Sequence, residues 1–130
     1  MREIKFRAYD KDEKRMIDWQ YLIDYCDIDY LFGNYMLTEK RDTVPNFVVM
    51  QYINFIDKNK KEVYEGDIVR VVYNGTMYIK QVVFDESELD FKATNGKKEY
   101  GKHFVYLPCC EEVEVIGNIY ENPNLLSDTN

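Results

Sequence analysis

The chain has 130 residues, 45% of them apolar and 15% aromatic, which is the size of one domain and carries too much burial potential for a disordered segment. Its formal charge of −7 is spread along the chain, with 10 acidic and 8 basic side chains in residues 1–50 and 14 and 9 in residues 51–130. An acidic surface without a basic stripe argues against duplex nucleic acid as a partner, and no window approaches the roughly 18 to 20 apolar residues of a membrane helix.

At the N-terminus, Ile4, Phe6 and Ala8 alternate with Lys5, Arg7 and Tyr9, the period of a half-buried strand. The polar run "DKDEKR" that follows predicts a hairpin, with "MIDWQYLID" as its return strand and Trp19 as a core or interface anchor. Beyond it, Tyr21, Tyr25, Ile28 and Phe32 have helical spacing, whereas Ile28, Tyr30 and Phe32 alternate with Asp27, Asp29 and Leu31. The alternation and the Gly33–Asn34 turn favour strands here. Pro45 marks a loop, and "FVVMQYINF", Phe47 to Phe55, reads as an almost continuous apolar strand.

The polar loop "IDKNKKEVYEGD" is the expected internal boundary. It divides a β-rich segment of residues 1–55 from a barrel of residues 63–126, with residues 56–62 as the connection and 127–130 as a tail. In "VYEGDIVRVVYNGTMYIKQVV", Asn74 and Gly75 suit a two-residue type I′ turn that pairs Tyr73 with Thr76 and Val71 with Tyr78. Asn95 and Gly96 suggest a second such turn, pairing Phe91 with Tyr100. "HFVYLP" and "VEVIGNIY" complete five short strands from Asp67 to Tyr120. Tight turns between short strands predict a small SH3-like barrel, so the fold class is mostly β: an N-terminal β segment followed by a C-terminal SH3-like barrel.

Three stretches, "MREIKFRAYD", "VVMQYINFIDKNKKEVYEGDIVR" and "VEVIGNIYENPNLL", together resemble the YopX family of bacteriophage and prophage proteins, in order and spacing over nearly the whole chain. The resemblance implies a small phage or prophage protein of Gram-positive bacteria and their relatives, without an assigned enzyme activity and oligomeric. Two positions depart from the family's pattern. Tyr9 stands where a Trp usually follows "FRA", and Lys60 stands where the family usually has Gly, which puts that tight loop in doubt because a side chain at positive φ is strained.

Residues for covalent chemistry are sparse. The only histidine, His103, lies in a strand-like segment, and no Ser-His-Asp arrangement is suggested. A hydrolase using Cys109 with His103 lacks an oxyanion-hole glycine motif nearby. The three cysteines, Cys26, Cys109 and Cys110, fit neither a disulfide framework nor a Cys-x-x-Cys zinc pair, which points to a reducing cytoplasm. The acidic groups "DYCDID" and "DESELD" lack the calcium-loop pattern and read as solvated turns. In "YEGD", Gly66 supplies a turn conformation and Asp67 a hydrogen bond to the turn backbone.

No catalytic residue, cofactor or metal ligand is therefore expected. The candidate interface residues are Trp19, Tyr21, Tyr25, Phe32, Tyr73 and Tyr78, rigid amphipathic aromatics of the kind that fill interface cores. The sequence predicts a non-enzymatic phage or prophage accessory protein in the bacterial cytoplasm, acting through self-association or contact with a phage or host protein. The alternative is a regulator that touches nucleic acid through Arg2, Lys5, Arg7, Lys11, Lys14 and Arg15.

Overall fold

The computed structural model describes residues 2–25, 46–97 and 101–127. The chain is mostly β and forms two compact units, Glu3–Gln51 and Tyr52–Asn130 with Met1–Arg2. Their division falls inside one strand, β3 (Phe47–Ile56), so the 56–62 loop lies within the second unit.

In the first unit, β1 (Phe6–Asp10) and β2 (Arg15–Ile17) form the expected hairpin, with Asp10 opposite Arg15. Asp10 Oδ1 accepts from the Asp12 and Glu13 amides, which closes the turn. The other edge of β1 pairs with the first half of β3, Ala8 opposite Val49. The expected return strand stops early: Trp19–Tyr25 is a helix, α1, not a strand. Asp18 caps it, Oδ1 accepting from the Tyr21 amide at 2.9 Å, a device worth about 1 kcal/mol that alternation does not register. Leu22 then packs with Ala8 and Ile17, and Trp19, Phe47 and Val49 close over them.

In the second unit, the end of β3 pairs with β4 (Glu62–Tyr64) across a bulge at which Asn54 takes φ 61°. A five-stranded antiparallel sheet follows in the order β8-β7-β6-β5-β9, from β5 (Asp67–Tyr73), β6 (Thr76–Asp85), β7 (Asp90–Thr94), β8 (Phe104–Val105) and β9 (Glu112–Asn118). Five strands are expected between Asp67 and Tyr120, and five form among the described residues between Asp67 and Asn118. A 3₁₀ turn at Leu107–Cys109 precedes β9, and a short helix, α2 (Asn124–Ser127), follows it. Alternate residues of β5, Val69 and Val71, meet Val82, Ala93, Leu107 and Val113 in one core with Val63, and Ile53 and Phe55 pack against it. Burying each such valine stabilises the fold by roughly 1.5–3 kcal/mol.

The first Asn-Gly turn holds its predicted register, Tyr73 opposite Thr76 and Val71 opposite Tyr78. The second does not. Thr94 pairs with Phe104 instead of Lys97, and Phe91 lies opposite Phe84 of β6, the rings 5.0 Å apart. Tyr100 falls outside the described residues. The reason is local capture by side chains: Thr94 Oγ1 accepts from the Gly96 amide and Asn95 Oδ1 from the Lys97 amide, so no two-residue turn closes there.

The motifs that carry the resemblance become struts in this unit. Gly66 takes φ 89°, which glycine alone adopts without strain, and the buried Asp67 Oδ2 accepts from the Tyr64 amide at 2.8 Å. Lys60 takes φ 63°, so the tight loop forms despite the missing glycine. Asp57 organises it: Oδ1 accepts from the Asn59 and Lys61 amides at 2.9 and 2.8 Å, and Oδ2 from Val115 of β9 at 2.9 Å. Together with the Lys58 amide donating to the Val113 carbonyl, this covers the free edge of β9. At "GNIYEN", a Cβ on Gly117 would lie 2.5 Å from Asn122 Oδ1, which the Asn118 amide uses as its acceptor.

Candidate interaction surface

The predicted interface residues separate into three settings. Trp19 is half-buried against Phe6, ring centroids 5.8 Å apart, and belongs to the first unit's core. Tyr21 and Tyr25 sit one helical turn apart on α1, 38% and 75% exposed, their rings 4.7 Å from each other. Phe32 lies outside the described residues. Tyr73 and Tyr78 are on the second unit's hairpin, on the face shared with Val69 and Val71, with Tyr73 half-buried and Tyr78 exposed.

Helix α1 also exposes Ile23, at 51%, a residue that sequence reasoning missed. The signal was present: with Leu22 as the inward residue of a helix, Ile23 must turn away from that contact. Around these apolar groups stand Asp18, Asp24 and Arg15, whose guanidinium lies 5.4 Å from the Tyr21 ring centroid. Gln20 donates to Asp24 at 3.0 Å along the same helix. The result is a short helix with one exposed tyrosine pair, Tyr21 and Tyr25, while Ile23, two positions from each, is exposed on a different side.

On the second unit, Tyr78 neighbours Lys80, whose ammonium is 5.2 Å from the ring centroid. Lys80 is a buried residue on the Val69 side of the sheet, and burial pushes its amine below the ordinary range. Its stem lies along apolar surface, the usual arrangement for a lysine at the margin of a core.

The basic N-terminal residues do not form one stripe. Lys5 pairs with Glu3 at 3.4 Å, and Arg7 is half-buried and donates to Met50 Sδ at 3.7 Å. Arg15 rests on Tyr21, while Arg2, Lys11 and Lys14 are exposed.

His103 is exposed ahead of β8, and Cys109 is exposed in the 3₁₀ turn, with no hydrogen bond joining them among the described residues. Cys110 is half-buried. Burial first, and then Cys109 and Glu111, push its thiol up, away from the reactive thiolate, and Sγ contacts the Tyr106 carbonyl at 3.6 Å.

The acidic run "DESELD" serves Lys92, the largest fully buried side chain among the described residues. Its ammonium lies 2.7 Å from Glu88 and 2.9 Å from Asp85, and 4.1 Å from the Phe104 ring centroid. The hydrogen bond to Glu88 outweighs burial and holds the amine charged, and Tyr106 donates to the other Glu88 oxygen at 3.0 Å. The two carboxylates thus latch the β6–β7 turn onto a lysine and the β8 region. "DYCDID" extends beyond the described residues.

A family model described as "YopX protein" matches residues 5–127, nearly the whole chain. A search of the curated proteins finds no match. Among solved structures, the crystal structure of protein EF1440 from Enterococcus faecalis is similar over 97% of this chain and 99% of that one, with 21% identity and a TM-score of 0.61. That likeness concerns the fold. No helix among the described residues is long and apolar enough to cross a membrane.

Proposed function

Because the chain belongs to the YopX family, we propose that it is a phage or prophage accessory protein that acts by protein contact in the bacterial cytoplasm, first of all by self-association, and without enzymatic chemistry. The single observation that carries this reading is the outer surface of α1. Tyr21, Ile23 and Tyr25 are all exposed on a seven-residue helix whose one buried residue is Leu22. A helix this short is marginal in isolation and depends on packing, and its exposed Tyr21–Tyr25 pair, with Ile23 on another side of the helix, offers aromatic surface that a second molecule can cover. Tyrosines ringed by Asp18, Asp24 and Arg15 match the anatomy of an interface with an apolar centre and a polar rim.

The second unit carries the five-stranded sheet. We read it as an SH3-like barrel, supported by five antiparallel strands whose first and last members, β5 and β9, are paired. Cross-linking of the purified chain tests the functional reading. Intermolecular links should map to peptides spanning Trp19–Tyr25, and links confined to other surfaces would move the interface elsewhere. A nucleic-acid role gains nothing from the geometry, since Arg7 and Arg15 are drawn onto Met50 and Tyr21.

A further inference from the structure

Two lysines are buried in the five-stranded sheet, and they sit in opposite electrostatic settings. Lys92 on β7 is 2% exposed, and Asp85 and Glu88 hold its amine charged. Lys80 on β6 is 7% exposed, and its side chain has neither a hydrogen bond nor an ion pair among the described residues. Its one polar neighbour is the Tyr78 ring, 5.2 Å from the ammonium. Val69 lies directly opposite it on β5, and Val82 follows on its own face of β6. Asp67, the only carboxylate on β5, shares that face but gives Oδ2 to the Tyr64 amide. Lys80 Nζ nonetheless keeps a contact with solvent, and Tyr78 beside it is 39% exposed.

We propose that Lys80 is a covalent acceptor for small aldehydes, forming a reversible imine at Nζ. The ammonium first gives one proton to solvent. The lone pair of the neutral amine then attacks the carbonyl carbon, and the C=O π pair moves onto oxygen, which takes a proton. Nitrogen loses a second proton, water departs from the carbon, and the nitrogen lone pair closes the C=N bond. The net change is amine plus aldehyde to imine plus water, with no oxidant, reductant or metal.

Two features favour Lys80 over the other lysines. A desolvated amine without a counter-ion yields its proton more readily, which is how a Schiff-base lysine is activated, and burial is the cause that leaves this amine below its ordinary range. The imine is also neutral, so the product removes a charge that the site does not compensate. At Lys92 the same reaction would break two ion pairs. An exposed lysine has water around both forms and gains nothing. This chemistry is independent of assembly through α1.

Limiting formaldehyde with cyanoborohydride, which reduces each imine to a stable methylamine, tests this on the full chain, with peptide mapping reading the rate at each lysine from neutral to alkaline pH. At neutral pH, Lys80 should be modified at least about threefold faster than the exposed Lys11 and Lys97, and Lys92 at least about tenfold slower than either. The Lys80 rate should also level off at lower pH than theirs, a displacement that access alone cannot produce, because access scales a rate without moving its titration. Lys80→Met keeps the buried stem and should remove the fastest phase of formaldehyde uptake while leaving the other lysines unchanged, with thermal melting to check that the domain remains folded. A Lys80 rate at or below those of Lys11 and Lys97, a Lys80 rate that titrates with theirs, or a Lys92 as reactive as Lys80 would overturn the proposal.

Discussion

Removing the Asp57 carboxylate should weaken the second unit more than any other change to a polar loop residue described above. Asp57 is 6% exposed, and its two oxygens accept three backbone amides, from Asn59, Lys61 and Val115. A hydrogen bond to a charged acceptor is worth roughly 1.5–3 kcal/mol net, but the Asn59 and Lys61 amides lie in an exposed loop and can turn to water. The Val115 amide, on half-buried β9, has no such exit. Asp57→Ala should therefore cost about 3 kcal/mol, a large share of a typical domain stability of about 5–15 kcal/mol. Asp57→Asn keeps one acceptor and sets an NH2 group against a donor, for about 2 kcal/mol. Urea unfolding should show midpoints lower by about 1–2 M, taking an m-value of roughly 1.5–2 kcal/mol/M. Burial alone would raise the Asp57 pKa, but the three amides outweigh it, so the folded protein holds this carboxyl below its ordinary value. Its stabilisation is then complete above the unfolded pKa of about 3.9 and is lost as pH falls through the lower folded value. The gap between wild type and Asp57→Asn should accordingly narrow in that acid window. An Asp57→Ala midpoint within error of wild type at neutral pH would refute the role assigned to this loop.

Lys60→Gly should stabilise the protein by about 0.5 kcal/mol or more in the same assay, because left-handed strain of about 1–2 kcal/mol exceeds the added unfolded-state entropy of glycine, about 0.5–1 kcal/mol; a loss of stability would mean Lys60 is not held at φ 63°. Gly117→Ala should destabilise by about 1–3 kcal/mol through the clash with Asn122. Combining it with Asn122→Ala should cost less than the sum of the two single changes, whereas strict additivity would place the clash elsewhere. Gly75→Val forces a β-branched residue to φ 77° and should lower stability by more than about 1 kcal/mol, with an unchanged thermal midpoint counting against the turn.

Legibility from sequence tracks how local the physics is. The Asn74–Gly75 hairpin was readable because a two-residue turn sets its own register and β-branched strands on either side agree with it. Asn95–Gly96 carries the same two letters, yet Thr94 and Asn95 side chains capture the amides that such a turn would use, and Leu126, from 30 positions onward, packs over Gly96. Helix α1 was misread because alternation further along was extended back over it, while the Asp18 cap and the i,i+4 spacing of Tyr21 and Tyr25 pointed the other way. Gly66 and Asp67 were legible as a turn, since Gly66 takes a φ that favours glycine and Asp67 accepts from Tyr64 only three residues away. Asp57 was not, because its partner Val115 is 58 residues distant and a lone aspartate in a lysine-rich run reads as solvated. Among the candidate interface residues, composition identified the aromatics, but only the helix separates Trp19, facing the core, from Tyr21 and Tyr25, facing outward.

Sedimentation of the full chain across the micromolar range tests the central claim most directly. Self-association through α1 predicts a species larger than the 15.6 kDa chain, and predicts that Tyr21→Ser with Tyr25→Ser shifts it to monomer while far-UV circular dichroism and the urea midpoint stay near wild type. Tyr25 is 75% exposed in the single chain, and Tyr21 gives up its contacts with Tyr25 and Arg15 but none in the buried cluster of Ala8, Ile17 and Leu22. A wild-type protein that sediments as a 15.6 kDa monomer throughout that range would contradict self-association and leave the α1 surface to a foreign partner.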